Sequence, residues 1–383
     1  MISPINNQHQ KHEKLTRPNI GEWGRSELSI LGTTCDDIRH LVYKVTQQLS
    51  SLKIAYADAD HKAENADEQS ISAIDSGAFA EYTNKISYTQ LNTNAQPNAF
   101  QKRALLNDCD LMLINGNHFS ASKQILVIDD RKSLEKKLDK LTDVQLILVR
   151  KFPLEIPAFI SNHLSEISSI PVFSFDDTEA IIQFMKVFVE QKIPQVNGLI
   201  LAGGKSIRMG RDKSHLVYHK ITQQQHLYHL LQPLCNEVCI SLNEHQAKAA
   251  DGMSYIRDTF LGLGPTGGIL SAFQSNPNVA WLTVACDLPY LSVGIIKYLI
   301  HHRNPTKVAT AFMDAENKFP EPLITIWEPK SYLVLLQFLS QGYSCPRKIL
   351  INSDVELLQS PDTSAFANIN TSEEYEKVRL DLH

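Results

Sequence analysis

Short, largely apolar runs recur along this chain, most of them closed by a polar turn, with segments of helical spacing between them. A strand with no polar face is buried on both sides, and such strands belong to parallel sheets covered by helices. In the first half the runs are ELSILG, KIAYAD, DLMLING, QILVIDD and VQLILVR, with helical spacing in DDIRHLVYKVTQQLSS and DDTEAIIQFMKVFVEQ. The acidic start of the latter suits a helix N-terminus. The second half repeats the grammar with GLILA, EVCISL, WLTVAC, KVATAF and PLITIW, separated by helical segments such as QQQHLYHLLQPL and VGIIKYLIHH. The pattern predicts an α/β fold with two three-layer α/β/α domains. At 383 residues the chain is too long for one ordinary core and suits two domains of about 150–200 residues each. The expected layout is a flexible polar segment over 1–25, a first domain over 26–190, a linker over 191–197 within QKIPQVNG, and a second domain over 198–383.

Charge narrows the functional classes. A formal net charge of -5 argues against a general nucleic-acid or anionic-membrane binder, while leaving room for a local basic site. No run approaches the roughly 20 apolar residues needed to span a bilayer, and MISPINNQHQKHEKLTRP lacks the apolar core of a signal peptide, so the expectation is a cytoplasmic protein. Six cysteines are scattered without a CxxC pair, which points to buried or bystander thiols. No histidine spacing reads as a metal site; His226, His229, His301 and His302 fall on expected helices.

The stretch NGLILAGGKSIRMGRDKSHL, Asn197 to Leu216, carries the chemistry. Its Gly-Gly-Lys-Ser suggests a P-loop, which requires G-x-x-x-x-G-K-[ST]. Counting back from Gly204 places the first glycine at 199, which is Leu199; Gly198 is one position early. The intervening apolar residues read as the strand itself. A strand ending at Ala202 places Gly203 and Gly204 at the carboxyl edge of the sheet, where ligands bind in open α/β folds. Two residues without side chains let the backbone approach a ligand, so their N–H groups can face phosphate oxygens. Lys205, Arg208, Arg211 and Lys213 add cations along the same loop, as a polyphosphate demands.

LAGGKSIRMGRDK resembles the LAGGxSxRMGxDK signature of the nucleotidyltransferases related to molybdenum cofactor guanylyltransferase, matching at Leu201, Ala202, Gly203, Gly204, Ser206, Arg208, Met209, Gly210, Asp212 and Lys213. Later segments are similar in order. ISLNEHQ gives Asn243, YIRDTFLGLGPTGGILSAF gives Asp258 and the Gly264–Gly268 loop, LTVACDLPYL gives Asp287, PEPLITIW gives Glu321, and FANINTSEEYEK gives Asn368 and Asn370. The resemblance covers about residues 196–383 and implies a Rossmann-like nucleotidyltransferase fold with a mostly parallel sheet. It implies transfer of GMP from GTP to the terminal phosphate of molybdopterin, with Mg²⁺ as cofactor and delivery to a molybdoenzyme or its chaperone as a further association. On that reading Arg208 and Lys213 neutralise the triphosphate and Asp287 holds the metal. Leu201, Ala202, Gly203, Gly204, Ser206, Asn243 and Asp258 contact the nucleotide, and Glu321, Asn368 and Asn370 lie on the acceptor side. Gly203 favours guanine, since related cytidylyl enzymes tend to carry Ala-Ala-Gly there. Cytidylyl transfer, a different phosphorylated acceptor, and a non-catalytic cofactor-binding protein are the alternatives.

Residues 26–190 resemble the adaptor protein of the same pathway, itself a P-loop GTPase-like fold, in the order of LSILGTTCDDIRHLVYKV, KIAYADADH, DLMLINGNHF and LILVRK. The phosphate loop departs from the pattern: Gly32 to Arg39 lacks the second glycine, the lysine and the hydroxyl, and Asp36 and Asp37 would repel phosphates. The expectation is a degenerate loop that does not hydrolyse nucleotide, and a docking or delivery role. Asp58, Asp60 and His61 in YADADH read as a solvated strand-end turn rather than a metal site.

Overall fold

The computed structural model describes residues 14–59, 72–151, 153, 155–164, 166–202, 216–243, 252–369 and 371–382. The chain divides into two compact units: an amino-terminal one, Ile20–Lys192, and a carboxy-terminal one, Ile193–His383, which also takes in the segment ending at Asn19. The cut between them falls inside the linker expected over 191–197, whereas the first unit begins at Ile20 rather than at residue 26. The stretch up to residue 25 is not a single free tail. The Asn19 N–H donates to Asn278 Oδ1 (2.6 Å) and Asn278 Nδ2 donates to the Arg17 carbonyl (3.2 Å), while Trp23 is buried in the amino-terminal unit. The expected linker over 191–197 is cut short as well, because a strand already begins at Val196 and Asn197 is buried.

The amino-terminal unit runs β1 (Glu27–Leu31), α1 (Cys35–Gln48), β2 (Ile54–Ala57), β3 (Ala80–Asn84), β4 (Thr89–Thr93), α2 (Ala99–Leu105), β5 (Leu111–Asn115), β6 (Gln124–Ile128), β7 (Val144–Val149), α3 (Ala158–Ser161), β8 (Val172–Ser174) and α4 (Thr178–Glu190). Its main sheet has the order β2-β5-β1-β6-β7-β8 with every pairing parallel. Successive strand residues face opposite sides. Leu28, Ile30, Leu111 and Leu113 therefore pack with Ile38, Val42 and Val45 of α1 and Met185 of α4, whereas Leu31, Leu126 and Ile147 pack with Leu134 and Ile160 on the other face. Helix α1 starts where it does because the Thr34 side chain caps it, accepting from the Asp37 N–H. The β3–β4 hairpin forms a separate two-stranded sheet.

The carboxy-terminal unit runs β9 (Val196–Leu201), α5 (Gln223–Leu231), β10 (Val238–Leu242), β11 (Tyr255–Arg257), α6 (Pro265–Ser275), β12 (Ala280–Ala285), α7 (Val293–His301), β13 (Ala309–Met313), β14 (Pro320–Trp327), α8 (Ser331–Ser340), α9 (Pro346–Ile351), β15 (Val355–Leu358) and α10 (Ser372–Asp381). The sheet order is β11-β10-β9-β12-β14-β13-β15. All neighbours are parallel except β14, which is antiparallel to both β12 and β13. Helices cover both faces: Ile200, Ile240, Leu282 and Ile326 meet Leu227 of α5 and Ile296 of α7, and Leu199, Trp281 and Trp327 meet Phe273 of α6 and Leu335 of α8. The result is the Rossmann-like α/β architecture expected, with one reversed strand that matters for the site.

Candidate active site

Because β9, β10, β11 and β12 are parallel neighbours, the loops that follow them leave from one edge of the sheet. The ladder continues to that edge. The Ala202 N–H donates to the Ser241 carbonyl (3.3 Å), the Asp258 N–H to the Leu242 carbonyl (2.9 Å), and the Cys286 N–H to the Leu201 carbonyl (3.3 Å). Leu201 and Ala202, Asn243, Asp258 and Asp287 thus stand at the ends of four adjacent strands. Gly203, Gly204, Ser206, Arg208 and Lys213 lie outside the described residues, as does Asn370; the described strand delivers Ala202, to which that loop is joined.

Asp258 is half-buried, and its Oδ1 accepts from the Ser241 hydroxyl at 2.5 Å. Burial pushes its carboxyl above the ordinary range, and the Ser241 hydrogen bond opposes this only in part. Asp258 is not a simple turn cap: it is tied to the floor of the edge by a buried strand side chain. Behind it the chain folds back on α6. Both the Thr259 and Phe260 N–H groups donate to Ser271 Oγ (2.9 and 3.4 Å), and Gly264, at φ +59°, makes the turn before Pro265 opens the helix. Helix α6 crosses from β11 to β12, so its N-terminus, with its exposed N–H dipoles, sits at the same edge. Gly267 and Gly268 allow the close seat. A Cβ at Gly267 would stand 2.3 Å from the Phe260 carbonyl oxygen, and one at Gly268 would stand 2.5 Å from Ser241 Oγ.

Asp287 follows β12 in the turn CDLP and does not cap α7, whose cap is Ser292, accepting from the Ile295 N–H. The reversed β14 brings a second carboxylate to it. Carrying the register past Val284–Ile324 sets Glu321 level with Asp287. Glu321 is buried, and burial raises its carboxyl, with the negative charges of Asp287 and Asp314 adding to the effect and Arg347 opposing it. Arg347 Nη2 approaches Glu321 Oε2 at 3.5 Å. The segment bearing Asn368 also closes on this point, since the Ile369 N–H donates to the Asp287 carbonyl (3.2 Å); Asn368 itself is exposed. Tyr218, fully buried against Tyr375, has its hydroxyl proton held by burial, with Tyr375 and the Asp287 charge contributing. Gln223 Nε2 donates to the Leu288 carbonyl (3.1 Å) and so braces the same turn.

Sequence reasoning did not single out Ser241, Tyr218, Gln223 or Arg347. Ser241 alternates with Cys239 and carried a signal, a polar residue on an otherwise apolar strand face, two positions before Asn243. The other three join the site only through tertiary contacts, Tyr218 toward Asp287, Gln223 on Leu288 and Arg347 on Glu321, and no spacing announces them.

In the amino-terminal unit, Gly32 adopts φ +95° at the end of β1, and a Cβ there would lie 2.1 Å from the Val127 carbonyl oxygen. The first turn of α1 carries Asp36 and Asp37: Asp37 is paired with Arg131 (2.5 Å) and Arg150 (2.6 Å), while Asp36 is exposed with Arg39 at 3.5 Å. Asp58 follows β2, while Asp60 and His61 lie outside the described residues. Among the described residues no group of three or more His, Cys, Asp or Glu side chains is placed to hold a metal ion. Likewise, no described helix is long and apolar enough to cross a membrane.

A family model described as the MobA-like NTP transferase domain matches residues 198–355. The molybdenum cofactor biosynthesis bifunctional protein of Synechocystis is 35% identical over 183 residues, covering 47% of this chain and 53% of that protein. The molybdenum cofactor guanylyltransferase of Shewanella putrefaciens is 31% identical over 196 residues, covering 49% of this chain and 97% of the relative. A probable molybdenum cofactor guanylyltransferase of Carboxydothermus hydrogenoformans is 31% identical over 186 residues, 92% of its length. The chain thus spans about half the length of the bifunctional relative and nearly all of the two single-function ones.

Proposed function

Because this chain belongs, through its carboxy-terminal half, to the MobA-like NTP transferase family and is a nucleotidyltransferase, we propose that it transfers GMP from GTP to the terminal phosphate of molybdopterin. Pyrophosphate leaves and molybdopterin guanine dinucleotide forms. The observation that supports this most is the convergence of Ala202, Asn243, Asp258 and Asp287 on one sheet edge, with Glu321 brought across from β14.

The acceptor phosphate is already an anion at neutral pH, so little proton transfer is needed. The barrier lies in bringing two anions together and aligning them. Arg208 and Lys213, on the loop leaving Ala202, would neutralise the triphosphate, with the Gly203 and Gly204 N–H groups on its oxygens. Asn243 and Asp258 would engage base or ribose. Asp287 and Glu321 would suit a Mg²⁺ ion: both are hard oxygen donors, and burial raises the Glu321 carboxyl, with the Asp287 charge adding to the effect, so a cation beside them would relieve the cost of their ionised forms. The ion, when bound, offsets phosphate charge. Asn368 and Asn370 would lie on the acceptor side. The amino-terminal unit, with its covered loop, would serve docking or delivery of the product to a molybdoenzyme.

A turnover assay with GTP or CTP and molybdopterin, scoring pyrophosphate, tests the reading. GTP-dependent release that requires molybdopterin is expected. Release with CTP alone would make the protein a cytidylyltransferase, and no release with either would make it a binding protein.

A further inference from the structure

Three neighbouring parallel strands of the amino-terminal unit, β2, β5 and β1, bring a carboxylate, an imidazole and a thiol together at their carboxyl edge. Asp58 directly follows β2, His118 lies in the turn after β5, and Cys35 opens α1 after β1. Cys35 Sγ is 3.2 Å from His118 Nε2, and Asp58 Oδ1 is 3.8 Å from the same nitrogen. Asp58 is itself held: the Tyr56 hydroxyl donates to it at 2.8 Å, Asn115 Nδ2 at 2.7 Å and Arg39 Nη2 at 3.3 Å. Asn117 Nδ2 donates to the Thr33 carbonyl (3.0 Å) and lies 3.6 Å from Sγ. Cys35 and His118 are both half-buried.

A thiol within reach of an imidazole, in the first turn of a 14-residue helix, is a nucleophile beside a base. Of the carboxylates beside the sulfur on α1, Asp37 is paired with Arg131 and Arg150, and Asp36 turns to solvent with Arg39 at 3.5 Å. The other thiols differ. Burial pushes both Cys235 and Cys239 up to about 12, and Cys345 is exposed.

We infer that Cys35 is a nucleophilic thiol served by His118, and that it takes low-molecular-weight disulfides. In the exchange Sγ attacks one sulfur of the disulfide. The new S–S bond to Cys35 forms as the old one breaks, and the thiol proton passes to His118 Nε2 and then to the departing thiolate, which leaves as a thiol. Asp58 is a positioning residue that stabilises the imidazolium formed between those transfers. The product, a mixed disulfide at Cys35, is reversed by a second thiol.

The test uses the full chain, treated with iodoacetamide or with oxidised glutathione from pH 6 to 9, with the rate at each cysteine read by peptide mass spectrometry. Cys35 should be alkylated about tenfold faster than exposed Cys345 at pH 7, and glutathione should add at Cys35. His118→Gln should remove that excess and leave the Cys345 rate unchanged. A Cys35 rate no greater than that of Cys345, or an excess that survives His118→Gln, overturns the inference. Should the variant fail to fold, the wild-type profile decides. Glutathione added at Cys35 ahead of Cys345 at pH 7 supports it; equal addition at both overturns it.

Discussion

Asp258 and Asp129 are carboxylates at the carboxyl edges of their sheets, and their surroundings treat them oppositely. At Asp258 burial outweighs the Ser241 hydroxyl that donates to it, so its charge is disfavoured. At Asp129 burial opposes the charge too, but the hydrogen bonds from Arg131 and Thr33 outweigh it and hold the carboxyl well below the usual range. The native state therefore releases this proton at a pH where the unfolded chain still keeps it. The stability it contributes is fully present above the unfolded carboxyl value of about 4 and is lost as pH falls through the lower native value. Asp129→Asn should lower the stability of the amino-terminal unit at pH 7 by about 3 kcal/mol, since it leaves two guanidiniums short of a partner. The deficit should shrink below pH 4; urea unfolding at pH 7 and pH 3 checks both halves of that statement. In the other unit Asp287→Asn should cut nucleotidyl transfer on the order of 100-fold while thermal unfolding stays within a few degrees of wild type. Turnover close to wild type would remove Asp287 from the mechanism.

At the scale of elements, helix α6 carries the most positional information. Its two glycines seat it on Ser241 and on the returning loop, and that seat aims both Asp258 and the helix N-terminus at the edge. Gly268→Ala should cost about 1–3 kcal/mol through overpacking against Ser241 and Leu201. It should also weaken nucleotide binding, measured by calorimetry, more than its effect on folding alone accounts for; unchanged affinity would mean that the seat does not aim the site. Of the strands flanking this helix β12 was legible in the sequence as an apolar run, because a central strand of a parallel sheet is buried on both faces, whereas the short edge strand β11, largely exposed, was not. The β3–β4 hairpin was not. Its exposed face carries Tyr82 and Leu91 and its shielded face carries Glu81 and Gln90, which inverts the usual pattern, and its turn places Ile86 at φ +65°. Nor was the direction of β14: PEPLITIW has the composition of any buried strand, and only the antiparallel register against β12, carried past Val284–Ile324, sets Glu321 level with Asp287.

For the whole molecule, the α/β class and the placement of Asp287, Asp258 and Asn243 at strand ends could be read from residue order, since every βα turn in a parallel sheet leaves from the same edge. The cut after Lys192 also falls inside the linker expected over 191–197, but the amino-terminal edge of the first unit could not be read. Polar composition marked residues 1–25 as one stretch, whereas Arg17 and Asn19 bond to Asn278 and Trp23 packs elsewhere. Removing residues 1–19 should lower the unfolding temperature of the carboxy-terminal unit slightly, by the equivalent of about 1 kcal/mol, and leave that of the amino-terminal unit unchanged. Calorimetry of the shortened and full chains distinguishes this from a shift in both.

The Asn19–Asn278 hydrogen bond joins positions 259 apart in the chain. Synthesis proceeds from the amino terminus and units fold as they emerge, so Ile20–Lys192 can fold on the ribosome while Asn19 still waits for a partner that has not been translated. Arg17 and Asn19 are therefore made well before they can settle, and a nascent chain stalled before Asn278 would carry them without these two hydrogen bonds.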